Sequence, residues 1–86
     1  MSKQASPKVT KAILDVVENQ LRDGSPPETK TTLDRLQSSG LPRSEAVRLI
    51  ACVVSAEIFE VLKHKEPFNE KRFVTNLNKL PAMPWE

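Results

Sequence analysis

The sequence predicts an all-α protein, a compact array of four helices around a long, largely buried third helix. Three observations lead there. Apolar residues recur at helical spacing in four successive segments, each segment is bracketed by proline, glycine or a capping residue, and no run of alternating residues supports a strand. With 86 residues the chain is long enough for one core and too short for two. A single helical domain is expected over residues 6–81, with a disordered polar tail at 1–5 and an arm at 82–86.

Ser6 and Pro7 supply an N-cap and a first-turn proline for the first helix. Val9, Ile13, Val16, Val17 and Leu21 then draw one apolar stripe that runs to about Asp23, where Gly24 provides a left-handed stop. Ser25-Pro26-Pro27-Glu28 has the form of a capping box opening the second helix, with the serine accepting from a backbone amide and the glutamate reaching back. That helix offers only Leu33 and Leu36 as strong core residues before Ser39 and Gly40, so it should be the most exposed of the four.

Gly40-Leu41-Pro42 reads as a helix stop, an apolar residue folding back on it, and a proline opening the third helix, which runs from Pro42 or Arg43 to about Lys65. Val47, Ile50, Ala51, Val54, Ile58, Val61 and Leu62 form its core stripe. A second apolar set, Leu49, Val53 and Ala56, lies on another side, and Cys52 and Phe59 lie on a third. Pro67 closes this stretch. Asn69 caps the fourth helix, so that Phe73 at its fourth position can staple onto Phe68, and Val74, Leu77 and Leu80 follow before Pro81. Trp85 ends the chain next to Pro84 and docks either on its own bundle or on a partner.

Composition narrows the chemistry. The formal charge of +2 comes from 13 basic and 11 acidic residues mixed along the chain, which is a weak signature for a polyanionic partner. Cys52 is the single cysteine, so an internal disulfide or a cysteine metal cage cannot be built, and a reducing compartment fits. The longest uncharged, mostly apolar run, Leu49 to Ala56, is far too short to cross a bilayer. The opening residues carry no signal-type apolar run, and Asp15 and Glu18 argue against a transit peptide. A cytoplasmic protein without a membrane span is expected.

An enzyme needs converging polar groups, and the sequence offers few. The only histidine, His64, sits among Lys63, Lys65 and Glu66 at a helix end, where a solvated role suits it. Asp15 with Glu18 and Glu57 with Glu60 each lie about one turn apart, but the Glu-x-x-His elements of a helical di-iron site are missing. No catalytic residue, metal site or cofactor is expected. The segment Thr31 to Leu49 has the outline of a helix-turn-helix, yet its second helix presents Val47, Leu49, Ile50 and Val53 where a groove-reading helix presents polar groups.

Gly40 to Arg48 resembles the short signature of ubiquitin-associated domains, although the helix that follows is too long for that three-helix fold. Over Ile13 to Pro81 the chain resembles a family of small, uncharacterised bacterial all-helical proteins, a domain of unknown function. The matching residues are Pro26-Pro27-Glu28, Thr32 to Leu36, Gly40, Glu45-Ala46, Ile50-Ala51, Glu57-Ile58-Phe59, Leu62-Lys63, Pro67-Phe68-Asn69 and Leu77 to Pro81. That resemblance implies a bacterial cytoplasmic protein and brings no activity or site with it.

The functional expectation is a non-enzymatic helical protein-protein interaction module, with a second copy of the chain or another protein as partner. Its surface is placed at Leu49, Val53, Ala56, Glu57 and Trp85, because three short helices should not cover that side of the third. The competing expectation is a nucleic-acid-binding accessory protein that meets phosphates through Lys63, Lys65, Lys71, Arg72 and Lys79.

Overall fold

The computed structural model describes residues 7–84. Among them are four helices, α1 (Pro7–Asp23), α2 (Pro27–Ser38), α3 (Arg43–His64) and α4 (Glu70–Lys79). All four lie where the sequence periodicity puts them. The core is assembled from Val17 of α1, Leu33 and Leu36 of α2, Ala46, Val47, Ile50, Ala51, Val53 and Val54 of α3, and Phe73, Leu77 and Leu80 at α4 and its end. The helix α3 supplies half of that cluster and touches each of the other three.

The three interhelical turns are closed by one device used three times. Ser25 N–H donates to Gln20 O at 3.2 Å around Gly24 (φ 67°), and Leu41 N–H donates to Leu36 O at 3.2 Å around Gly40 (φ 110°). Glu66 N–H donates to Val61 O at 3.3 Å around Lys65, whose φ of 55° and ψ of 42° are left-handed. Each bond satisfies a carbonyl that the helix end leaves open. The first two stops are glycines and legible in sequence; the third is a lysine, which gives no such signal.

The capping box does not form. Ser25 is consumed in closing α1, so α2 starts one residue later with Pro26 at its N-cap and without a side-chain cap. Thr29 rather than Glu28 then occupies the third helical position, and its hydroxyl donates to Gln20 Oε1 at 3.0 Å, tying α2 to α1. Glu28 Oε1 is left buried with no hydrogen-bond partner among the described residues.

The expectation that α2 is the most exposed helix is also corrected. Thr29, Thr32, Leu33 and Leu36 are all buried, and α2 touches α1, α3 and α4. Two threonines, short enough to sit between helices, do work that a search for leucines misses. The helix with least burial is α1, where Val17 is enclosed, Ile13, Leu14 and Leu21 are half-buried, and Val16 faces outward. Along α3 the expected stripe is buried through Val54, half-buried at Ile58 and Val61, and open at Leu62. With 22 residues against 17, 12 and 10, α3 is the longest of the four helices, and Leu62 is left uncovered.

The fourth helix is fastened at both ends. At its start Asn69 Oδ1 accepts from Arg72 N–H at 2.9 Å, and the Phe68 and Phe73 rings lie 5.4 Å apart, the expected cap and staple. At its end the guanidinium of Arg35, from α2, donates to Leu80 O at 2.8 Å and Leu77 O at 3.0 Å, a cation on the negative end of the helix dipole. Beyond it, Ala82 N–H donates to Lys79 O and Met83 packs on the core. Trp85 lies outside the described residues.

Phe73 is fully enclosed among α4's contacts, so Phe73→Ala should destabilise the fold by about 3–5 kcal/mol in chemical denaturation. Lys65→Gly should instead raise stability, by up to about 1 kcal/mol, because it relieves a side chain from the left-handed region.

Candidate interaction face

The side of α3 that the sequence marks as a docking surface is for the most part inside the molecule. Val53 is buried, Leu49 is half-buried against the core, and Glu57 is 1% exposed. Of the expected surface residues, Ala56 is half-buried, and it lines a groove of about 620 Å³ between α3 and α4 together with Glu57, Phe59 and Arg72. The physical reason is Arg72. Its long side chain reaches back from α4 and gives the Glu57 carboxylate a partner, so the acid can be buried and α4 can close over that side of α3.

The ion-pair geometry is tight. Arg72 Nε donates to Glu57 Oε1 at 2.8 Å and a terminal nitrogen donates to Oε2 at 2.7 Å, a two-bond fork. The Asn69 backbone N–H adds a third bond to Oε2 at 2.9 Å, and the other terminal nitrogen of Arg72 binds Glu66 Oε1 at 3.0 Å. The Arg72 hydrogen bonds hold the Glu57 carboxyl below the usual carboxylate range against the opposing effect of burial, and the Asn69 N–H adds to the lowering. The same two carboxylates push the Arg72 guanidinium further up.

That network removes Arg72 from the basic set expected to meet phosphates. Lys63 stands over the Phe59 ring at 5.7 Å from its centroid, while Lys65, Lys71 and Lys79 are exposed. His64 pairs with Glu60 one turn earlier at 3.1 Å, both near solvent. Among the described residues no group of three His, Cys, Asp or Glu side chains is placed to hold a metal ion, and no helix is long and apolar enough to cross a membrane.

The accessible apolar surface of α3 joins Phe59, on the third side of the helix, to Leu62, the uncovered end of the core stripe. Phe59 is 59% exposed and Leu62 is 72% exposed, one turn apart. Toward the N-terminal half of α3 the same side descends into a second groove, about 540 Å³, whose walls include Ile13 and Leu14 of α1 and Arg48, Ala51, Cys52 and Ser55 of α3. At its end Arg43 makes a two-bond pair with Glu18, both bonds 3.1 Å, fastening α3 to α1. Burial pushes the Cys52 thiol up, with Arg48 acting in the opposite sense, which disfavours the nucleophilic thiolate. The sequence does separate Cys52 and Phe59 from the other apolar residues of α3 by helical position. What it cannot show is that this is the side the bundle leaves bare.

No protein-family model, no curated protein and no solved structure matches the chain.

Because the folded pKa of Glu57 is depressed, its contribution to stability is present above the unfolded value, about 4.5, and is lost as pH falls through the folded one. The wild-type chain should therefore lose stability progressively below about pH 4.5, and Glu57→Gln should be less stable at neutral pH with a shallower acid limb. Denaturant midpoints measured between acid and neutral pH check both.

Proposed function

We propose that this chain is a non-enzymatic helical protein-interaction module whose docking face is the exposed side of α3. The observation that carries the reading is the pair Phe59 and Leu62, large apolar side chains open to solvent on a helix whose other sides are packed. An apolar side chain in water forfeits roughly 1.5–3 kcal/mol that burial would return, so covering both is favourable. The groove between α1 and α3 extends the same face, and its half-buried leucine and isoleucine add apolar wall. The ionisable groups around Phe59 are engaged with one another rather than converging on an open point: Lys63 stands over its ring, Arg72 is paired with Glu57 and Glu66, and Glu60 is paired with His64.

The bacterial cytoplasm is the setting that we assign to this module. It is supported by the single cysteine, which leaves the chain independent of an oxidising compartment, and by the resemblance to bacterial helical proteins.

A photoreactive amino acid placed at Leu62 should give discrete protein adducts in native lysate, and those adducts should disappear when Phe59→Asp is added. The same probe at Asp34, on the exposed side of α2, should give none. Adducts indifferent to Phe59→Asp, or no adducts at Leu62, would sink the reading.

A further inference from the structure

The exposed side of α3 has a regular spacing. Arg48, Cys52, Ser55, Phe59 and Leu62 follow one another at steps of four, three, four and three, the repeat of a helix seam made to meet another helix. At the average rise of about 1.5 Å per residue this seam is roughly 21 Å long. All five reach the surface: four are exposed and Cys52 is half-buried.

The seam is asymmetric in a way that matches itself. Its C-terminal half carries the two protruding side chains, Phe59 and Leu62. Its N-terminal half carries the recess, the groove of about 540 Å³ bounded by Arg48, Ala51, Cys52, Ser55 and the α1 residues Ile13 and Leu14. Ser55, the smallest residue of the five, stands at the middle. We propose that the occupant of this face is a second copy of the chain, packed antiparallel so that a two-fold axis passes beside Ser55. Each copy then inserts Phe59 and Leu62 into the α1–α3 groove of the other. This is the isologous form of contact, in which one patch supplies both knob and hole. The inference rests on the reading of α3's exposed side as the docking face and adds the identity of what docks there.

Charge selects the same arrangement. Glu45 lies ten residues before Ser55 and Lys63 eight after it, on the same flank of the seam, and neither makes an ion pair among the described residues. An antiparallel pair centred on Ser55 brings Glu45 of each copy to within about one turn of Lys63 of the other, two opposite-charge contacts by symmetry. A parallel pair would set Arg48 against Arg48, Lys63 against Lys63 and Phe59 against Phe59, leaving both grooves empty. The antiparallel pair also carries the Arg48 guanidinium to the groove mouth that Phe59 enters, where a cation over an aromatic face is favourable.

The geometry sets a chemical test that uses Cys52 as it stands. Six residues separate Cys52 from its own image across an axis at Ser55, so the two Cα atoms are offset by about 9 Å along the helices before any separation between the helices is added, whereas Ser55 faces its own image with no such offset. That exceeds the reach of a disulfide, about 7 Å between Cα atoms. Oxidation of the unaltered chain should therefore give no Cys52-linked dimer, whereas Ser55→Cys in a Cys52→Ser background should cross-link readily.

Sedimentation equilibrium from low micromolar to millimolar chain should show twice the 9.7 kDa chain mass at the upper end. Phe59→Asp should hold the chain at monomer mass throughout with an unchanged far-ultraviolet spectrum, as expected for a side chain outside the core. Glu45→Lys and Lys63→Glu should each weaken self-association by roughly threefold to tenfold, and the two together should restore it. A chain that stays monomeric at millimolar concentration overturns the inference, as does a dimer that survives Phe59→Asp or that links through Cys52. A monomeric chain that still gives foreign adducts at Leu62 would overturn the second copy as occupant while leaving the interaction-module reading intact; a dimer with no adduct other than its own would do neither harm and supports both.

Discussion

A carboxylate at position 57 of a packed helix has to be neutralised where it stands, and the fold is arranged around meeting that requirement. Glu57 lies along α3 between the buried Val54 and the half-buried Ile58, and it receives three hydrogen bonds, two from Arg72 and one from the Asn69 backbone. Both donors belong to the first turn and cap of α4. The acid therefore fixes where α4 begins and which way it faces. Once that is set, Phe73 and Leu77 enter the core, the Phe68 ring closes on Phe73, and the far end of α4 arrives within reach of Arg35. A buried ion pair of this kind is a weak source of net stability, because desolvation offsets most of the attraction. Its effect here is selective: a different seating of α4 would leave a charge buried without a partner.

The remaining architecture follows from lengths and stops. Three helices end in the same left-handed closure, at Gly24, Gly40 and Lys65, so the chain reverses sharply at each point and the helices must pack on their immediate neighbours. Among the described residues α1 and α4 do not meet; they lie against α2 and α3 from different sides. Three shorter helices set against the longest one cover its core stripe as far as Val61 and the Glu57 side, and leave Leu62 at the end of the stripe and the third side with Phe59 uncovered. The α1–α3 groove opens beside them. The functional reading thus rests on a consequence of packing arithmetic rather than on a constellation of reactive groups.

Much of this was legible along the chain. The helix ends at Gly24 and Gly40, the Asn69 cap and the Phe68–Phe73 staple are local features, set by residues within one turn of one another, and local features are what a sequence displays. The capping box at Ser25 failed for a local reason too, since two adjacent motifs competed for one residue and the stop of α1 took it. Thr29 and Thr32 carry no core signal in the sequence, since a hydroxyl ordinarily marks a surface position, although in place they are short enough to let two helices approach and Thr29 finds an acceptor in Gln20.

The sequence by itself determined the number of helices, their bounds to within a residue or two, the primacy of α3 and the division of its apolar residues among three sides. It did so because helical periodicity and end signals are properties of neighbouring residues. Which of those sides stays open was decided only in three dimensions. The reach of Arg72 across 15 positions to Glu57, and of Arg35 across more than 40 to the end of α4, seats α4 over Glu57, while Phe59 and Leu62 are left in water. No spacing rule connects residues so far apart, since their encounter depends on the path of every turn between them.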